Sequence, residues 1–333
     1  MKVLQTLVAI LAGLAPACFA LAALASETPG FVVYQFPNVA GLGTLETRID
    51  KLGAASLDRI ASRRHVVATA VGTVKVPVSE NRAVYFAPGF TLTKRPELLD
   101  LISPDNIRGF YFSFTSTGDS EDAIADQLAI RLSHFKNLQF LKLCRCDVSD
   151  IGIKGLHDLP QLRQLDMSYS LITANSMPVF GKLTSLEDIT MNNVDLAHAD
   201  LSYFGRLPKL NALYVRGSQI TDSMLKQLKP CNSLEKLDLT NNLGISDASI
   251  ATLAQLPKLK YLAVSGTSIN LSNLTKLARV ARIVATTRDL KGRTIQDWHK
   301  TIPNLTLDGE SIAKANRPKP GAEELHLFAP TRY

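Results

Sequence analysis

Cysteine and catalytic motifs are both scarce in this chain of 333 residues. Its four cysteines, Cys18, Cys144, Cys146 and Cys231, are too few and too unevenly spaced for a disulfide framework or a zinc site built from paired CxxC motifs. The sequence has no GxSxG, P-loop, GxGxxG or HExxH pattern, and the GLG at 41–43 lacks the rest of a phosphate loop. These absences argue against hydrolase, nucleotide-binding and zinc-protease chemistry.

A concentrated patch of charge is also missing from the sequence. The net charge of +7 divides into +1 from Lys2, 0 over 3–137, +3 over 138–279 and +3 over 280–333. A dispersed excess of this size is typical of a solvated surface, whereas nucleic-acid binding needs a basic patch. We therefore expect no nucleic-acid partner.

The histidines do not form a metal-binding pattern. His198 and Asp200 resemble a base with an orienting carboxylate, but they fall at a helix entrance, where Asp200 can bind unpaired backbone amides. The other five histidines are scattered along the chain: His65, His134, His157, His299 and His326. We expect no metal, no cofactor and no enzymatic activity.

The amino terminus carries a long apolar run from Val3 to Ala25 without charge. Ala23 and Ala25 bracket Leu24 in an A-x-A arrangement, which predicts signal-peptide cleavage before Ser26. The run is also about long enough to span a bilayer, so an uncleaved signal-anchor is the alternative. Residues 1–25 thus predict a secreted, periplasmic or extracellular protein, or one anchored to the membrane through residues 3–25 alone.

An internal repeat fills the middle of the chain. Its starting leucines recur every 24 residues, with one step of 25: Leu138, Leu162, Leu186, Leu210, Leu234 and Leu259. Apolar residues follow each start three and five positions later, as in Leu213 and Val215, which predicts an LxxLxL strand. A turn residue and three apolar positions at a spacing of three follow, as in 153–159, and predict a short helix with one buried face.

The helix boundaries are marked in the same register. Ser149-Asp150, Thr221-Asp222 and Ser246-Asp247 place capping oxygens just before the helical positions. The prolines Pro160, Pro208 and Pro257 end the helices before the next strand.

A unit of strand, turn and short helix resembles the leucine-rich repeat over Leu138 to Val280. The match is nearest to 24-residue bacterial repeats, through LPQLRQLDMSYSLIT and CNSLEKLDLTNNLGISD, with some likeness to cysteine-containing repeats of ubiquitin-ligase substrate receptors through Cys146. The resemblance implies an α/β solenoid with parallel strands on a concave face and short helices on a convex face. It implies a protein or peptide partner and no catalysis.

The flanking segments complete the predicted organisation. Residues 26–80 are predicted to form an α+β cap, with Leu45, Ile49, Leu52 and Ile60 at helical spacing and His65 to Val78 as paired strands. The solenoid is predicted to span residues 81–310. Residues 311–333 are predicted to be a tail.

Two further units extend the repeat array beyond its six clear members. The predicted first strand contains Ile107, Phe110 and Phe112, and its unit ends in a helix with Leu132 and Phe135. A degenerate unit begins with Val280, Ile283 and Ala285 and carries Ile295 and Trp298 on its helix; a last strand contains Ile302, Leu305 and Leu307. Irregular terminal units are expected in a solenoid, because they cover the ends of its core.

The binding surface is predicted on the concave sheet, at the fifth, seventh and eighth positions of each unit. Aromatic and arginine side chains are enriched at interface hot spots. The predicted protein-binding residues are Tyr111, Phe114, Arg145, Tyr169, Tyr214 and Arg216. The sequence thus favours a non-enzymatic recognition scaffold, exported or membrane-anchored; the alternative is a substrate-recognition adaptor for ubiquitin ligation.

The repeat register also predicts the positions of the thiols. Cys231 occupies a position held by leucine in other units, so we expect it to be buried. Cys146 is expected in the turn core, with Cys144 on the sheet more accessible.

Overall fold

The computed structural model describes residues 30–48, 64–78, 84–112 and 124–307. The apolar run Val3 to Ala25, Phe114 and the segment 311–333 lie outside these residues. The described chain forms two compact units: residues up to Phe112 with His134–Phe140, and residues 124–133 with 141–307. The domain boundaries at 25, 80 and 310 stay predictions.

The first unit is built from β-strands in two sheets. β1 pairs antiparallel with β4, and a second sheet has the order β3-β2-β5-β6, with β2 antiparallel to both neighbours and β5 parallel to β6. The helix α1 (Phe90–Lys94) and a 3₁₀ helix (Pro96–Leu101) follow β5. The strands are β1 Phe31–Gln35, β2 Gly43–Arg48, β3 Arg64–Thr69, β4 Thr73–Pro77, β5 Val84–Pro88 and β6 Gly109–Phe112.

Two predictions for this region are wrong in detail. Leu45, expected on a helix, lies in β2, where ladders to β3 and β5 on both sides override the short helical spacing. The segment His65 to Val78 does contain two strands, but each pairs with a different partner. The link between them turns away because Ala70 donates its N–H to Gly43 and Gly72 accepts from Phe36.

The second unit contains a sheet with one strand per repeat, in chain order from β7 to β14. The recorded pairs from β8 to β14 are parallel and in register: Leu213, for example, lies beside Ile189 and Leu237, each 24 residues away. The strands are β7 Phe140–Leu143, β8 Gln164–Asp166, β9 Asp188–Thr190, β10 Ala212–Tyr214, β11 Lys236–Asp238, β12 Tyr261–Ala263, β13 Arg282–Ala285 and β14 Leu305–Leu307. The predicted leucine-rich repeat solenoid is confirmed.

Short helices connect the strands, and many are 3₁₀ rather than α. Apolar positions three residues apart match the three residues per turn of a 3₁₀ helix, which places them on one side. The α-helices are α2 Ile124–Arg131, α3 Met177–Phe180, α4 Asp222–Leu225, α5 Ile250–Gln255 and α6 Ile295–His299. The 3₁₀ helices are Leu132–His134, Gly152–Asp158, Ala174–Ser176, Leu201–Arg206, Lys226–Leu228, Asp247–Ser249 and Leu271–Leu277. Within the described ranges, no helix combines the length and apolarity that crossing a bilayer needs.

The predicted helix boundaries are confirmed except at Ser149-Asp150, where the helix begins later, at Gly152, and has no side-chain cap. Thr221 and Ser246 accept backbone N–H groups from the first turns of their helices, and Asp200 accepts from Ser202 in the same way. The helices before Pro160, Pro208 and Pro257 end at Asp158, Arg206 and Gln255.

The core follows the repeat register. The inward positions of the strands are fully buried, as at Leu213 and Leu237, both 0% exposed. Cys146 and Cys231 are buried and Cys144 is half-buried, as predicted from register. Burial raises the pKa of the Cys231 thiol to about 12. In the terminal units, Phe110, Trp298 and Leu305 are buried as the sequence predicts.

Candidate protein-binding surface

The open side of the sheet in the second unit carries two columns of side chains, which we call the sheet face. They belong to the third and fifth positions of each repeat, which alternate with the inward positions along each strand. The fifth column was predicted from the sequence, and the third was not. The central members are Gln164 and Asp166 on β8, Asp188 and Thr190 on β9, Ala212 and Tyr214 on β10, and Lys236 and Asp238 on β11. Ala212 and Thr190 are buried, and the other central members are at least partly exposed.

Polar groups on the sheet face pair across neighbouring strands. The Lys142 Nζ lies 3.1 Å from Asp166 Oδ2, with 19% and 12% of the two side chains exposed. Gln164 Nε2 donates to Asp188 Oδ2 at 3.2 Å. Burial raises the pKa of the Asp188 carboxyl, and the charge of Lys236 opposes this rise. These pairs hold the charged side chains flat against the sheet.

Tyr214 lies in the middle of this face. It is in register with Thr190 on one side and Asp238 on the other. Burial raises the pKa of its hydroxyl well above the usual range, and the carboxylate of Asp188 adds to the rise. Tyr214 is therefore a neutral aromatic group that combines apolar area with one hydrogen-bonding end, the kind of side chain that interfaces favour.

The seventh position was predicted to lie on the open binding face, but the structure buries most of its side chains. Ser168, Asn192 and Thr240 are all buried there. The Ser168 hydroxyl accepts the Asn192 N–H at 3.2 Å, and the Asn192 side-chain oxygen accepts the Arg216 N–H at 3.0 Å. Ser168 and Asn192 thus link successive repeats, and most side chains of this column are buried in the fold. Arg216 itself is half-buried.

The eighth position is not a continuation of the strand, as the predicted columns assumed. Arg145 and Tyr169 both have φ of 58°, in the left-handed region, because the chain turns there towards the helix. The equivalent residues of the next four repeats share the conformation and are the types that tolerate it best: Asn193, Gly217, Asn241 and Gly266. The turns between strand and helix form one side of the unit, which we call the turn edge.

Arg145 and Tyr169 contact each other on the turn edge. The Arg145 guanidinium carbon lies 4.7 Å from the centre of the Tyr169 ring, within cation–π range. Tyr169 is 40% exposed, and Leu171, two residues further on, is 59% exposed. The structure thus joins two of the predicted residues and places Tyr214 and Arg216 two repeats beyond Tyr169. Tyr111 is half-buried on β6 of the first unit.

Aspartates on the turn edge form a set of contacts that the sequence analysis missed, which we call aspartate clasps. In each clasp, a carboxylate at a helix entrance or on α2 accepts hydrogen bonds from the helix entrance of the next repeat. Asp126 accepts from the Ser149 N–H and hydroxyl at 2.8 and 2.6 Å, and Asp150 accepts from the Thr173 N–H and hydroxyl at the same two distances. Ser176 also donates to Asp150.

The clasps continue near the other end of the array. Asp222 accepts from the Ser246 N–H at 2.9 Å, from its hydroxyl at 2.6 Å and from the Ser249 hydroxyl. Asp247 accepts only the Asn270 N–H, at 2.9 Å. Burial would raise the pKa of the Asp222 carboxyl, but the hydrogen bonds from Ser246 and Ser249 hold it below its usual value. The signal was present in the sequence, because these aspartates repeat at one register position.

The described residues hold no cluster of three or more His, Cys, Asp and Glu side chains that could bind a metal ion. The arrangement on the sheet face and turn edge offers aromatic area, a stacked guanidinium and paired charges. Aromatic and arginine side chains are enriched at protein interfaces.

The decisive feature is one in-register strand for each 24-residue step, followed by a turn and a short helix. The fold is a leucine-rich repeat solenoid. No protein-family model matches the chain, and a search of curated proteins finds no match either.

Solved leucine-rich repeat structures are similar to this chain at low identity. An internalin from Listeria monocytogenes is 22% identical with a TM-score of 0.44, and the similarity covers 61% of this chain and 60% of that one. Internalin C2 from the same species is 20% identical with a TM-score of 0.42, covering 55% and 72%. A leucine-rich repeat protein from Leptospira interrogans is 16% identical with a TM-score of 0.40, covering 62% of each chain. The chain thus spans less than two thirds of the first of these structures.

Proposed function

We propose that this leucine-rich repeat protein is a non-enzymatic scaffold that binds a protein or peptide on its sheet face and turn edge. The contact residues in the second unit are Arg145, Tyr169, Tyr214 and Arg216. The apolar run Val3 to Ala25 supports export or membrane anchoring as the route to that partner.

The observation that carries the proposal is the pair Arg145 and Tyr169. A non-glycine residue in the left-handed region costs about 1 kcal/mol, and asparagine or glycine lowers this cost. Four other repeats use those residues at the same position, so the fold alone does not require arginine or tyrosine there. Their side chains instead form an exposed aromatic and cationic pair, the composition found at interface hot spots.

The alternative, an adaptor for ubiquitin ligation, requires a helical ligase-docking module. The longest α-helix among the described residues is α2, with 8 residues, and it packs within the repeat array. Nothing in the described chain favours this alternative over the scaffold.

Site-specific photocrosslinking in the native cell tests the proposal. A photoreactive amino acid replaces Tyr169 in one variant and Tyr203 in a matched control. Tyr203 also lies under an arginine, with Arg206 at 4.6 Å, but it is on a 3₁₀ helix away from the sheet face. We expect a discrete protein adduct from position 169 and none from position 203. Equal adducts at both positions, or an adduct only at 203, would move the binding surface to the helices.

A further inference from the structure

The loops that lead from each helix to the next strand carry a row of lysines. Four consecutive loops contribute lysines without an ion-pair partner: Lys182, Lys209, Lys229 and Lys258. All four side chains are exposed. The last of these loops also holds Lys260, which pairs with Glu235. Because β9 to β12 are parallel neighbours in register, these loops lie side by side, and the row extends over about 15 Å at a strand spacing of about 4.8 Å. We call this side of the second unit the loop edge.

The arginines of the loop edge are already used by the fold. Arg163 forms two hydrogen bonds of 2.9 Å with the carboxylate of Glu187. Arg206 covers the ring of Tyr203, and Arg279 donates to backbone carbonyl groups, including that of Ala254 at 2.7 Å. The planar guanidinium groups thus have internal partners.

The four lysines differ from these arginines. None of their ammonium groups forms an ion pair or hydrogen bond within the described residues; the nearest recorded interaction is the charge of Lys258 acting on Glu235, whose pKa falls mainly through its bond with Lys260. A lysine ammonium is a hydrated point charge without the fork geometry that recognises one carboxylate or phosphate. An exposed line of such charges suits a surface of distributed negative charge.

We propose that the loop edge binds the anionic headgroups of a phospholipid bilayer. Clusters of four to eight basic residues are the usual size for attraction to an anionic leaflet. The apolar run Val3 to Ala25 predicts that the chain meets a membrane during export or anchoring. The loop edge therefore adds a second, charge-dependent contact to the one that the sequence predicts for residues 3–25, and it leaves the sheet face and turn edge available to a protein partner.

Vesicle sedimentation of the full chain tests this proposal. The vesicles contain phosphatidylcholine alone or with about one third phosphatidylglycerol, a fraction chosen to give a clearly negative surface. The apolar amino-terminal run contributes to binding in both cases, so the difference between the two vesicle types measures the charge-dependent contact. We expect tighter binding to the anionic vesicles and loss of the difference at high salt, because salt screens exposed charges.

Two charge-reversal variants distinguish the contribution of the lysine row to vesicle binding from that of the protein's net charge. The row variant carries Lys209→Glu, Lys229→Glu and Lys258→Glu. The control carries Lys75→Glu, Lys154→Glu and Lys291→Glu, which are all exposed and are not members of the row. We expect about a hundredfold weaker binding to anionic vesicles for the row variant and less than about threefold for the control. Equal losses in both variants, or no preference for anionic vesicles, would overturn the proposal. Preferential binding of soluble polyglutamate instead of vesicles would also overturn it and would indicate an acidic polypeptide.

Discussion

The two edges of the second unit use their charged side chains in opposite ways. On the turn edge, the carboxylates of Asp150 and Asp222 are engaged in clasps between repeats. On the loop edge, the arginines are engaged, but lysines such as Lys209 and Lys258 extend into solvent. Charge on the turn edge therefore serves mainly the fold, and much of the charge on the loop edge is available to a partner.

The exception on the turn edge is the pair Arg145 and Tyr169. It occupies positions where the fold favours asparagine or glycine, and its two side chains contact each other across neighbouring repeats but remain exposed to solvent. A charged side chain's position in the repeat therefore distinguishes a structural role from availability to a partner more sharply than its residue type does. Substitutions at matched register positions can test this distinction.

The largest effect is expected in the layer between the two edges. Leu213→Ala removes a side chain with 0% exposure from a central strand, and the lost burial and the resulting cavity should lower the free energy of unfolding by about 2–5 kcal/mol. The exposed Lys226→Ala should change it by less than about 0.5 kcal/mol. Thermal or urea unfolding measures both, and indistinguishable curves would refute the assigned inward face.

A smaller but clear effect is expected from the clasps. Asp222→Ala removes the acceptor of three hydrogen bonds and should cost about 3 kcal/mol, because hydrogen bonds to charged groups contribute about 1.5–3 kcal/mol. Asp247→Ala, at the same register position, removes one recorded bond and should cost about 1 kcal/mol. The order of the two unfolding midpoints is the readout. A larger loss for Asp247→Ala would contradict the role assigned to the clasps.

Acid should weaken the same clasps. The folded-state pKa values of Asp150 and Asp222 are below their ordinary values, because hydrogen bonds to the carboxylates outweigh burial. Their contribution is therefore present above the unfolded pKa, about 3.9, and is lost as the pH falls through the folded pKa. The stability difference between the wild type and Asp222→Asn should stay constant above about pH 5 and shrink below pH 4. A difference that grows on acidification would show the opposite sign of shift.

The thiols provide the prediction with the smallest effect on stability. Burial raises the pKa of Cys231 to about 12, so its thiolate is rare at pH 8 and its side chain is inaccessible. Iodoacetamide should therefore modify Cys144, which is half-buried at the seventh repeat position, well before Cys231. Mass spectrometry after native labelling gives the order of modification. Faster modification of Cys231 would refute its buried position.

The repeat architecture was predictable because it is indicated by the regular spacing of apolar residues along the chain. The leucines every 24 residues, the prolines after three of the helices and the position of Cys231 all follow from one register. Leu45 was not predictable in this way, because a few residues at helical spacing cannot reveal two neighbouring strands. The left-handed turn at Arg145 and Tyr169 was also hidden, since only the asparagines and glycines at the equivalent positions indicate it.

The charged side chains of the two edges could be recognised only from the repeat register and the structure together. Dividing the net charge by stretches of chain dispersed the lysines of the loop edge, because each loop contributes only one or two. The parallel sheet brings Lys182, Lys209, Lys229 and Lys258 into one row. Sorting charges by position in the repeat would have revealed the aspartate clasps before any coordinates, whereas the four lysines do not share one repeat position and are brought to one edge only by the structure.

The most direct test of the protein-binding role combines Arg145→Asn and Tyr169→Asn in one variant that carries a photocrosslinker at Tyr214. Asparagine suits the left-handed turn, as Asn193 and Asn241 show, so the melting temperature should be unchanged or slightly higher. The adduct formed from position 214 in the otherwise unchanged protein should disappear, because the exposed aromatic and cationic pair is gone. An undiminished adduct at an unchanged melting temperature would contradict the account.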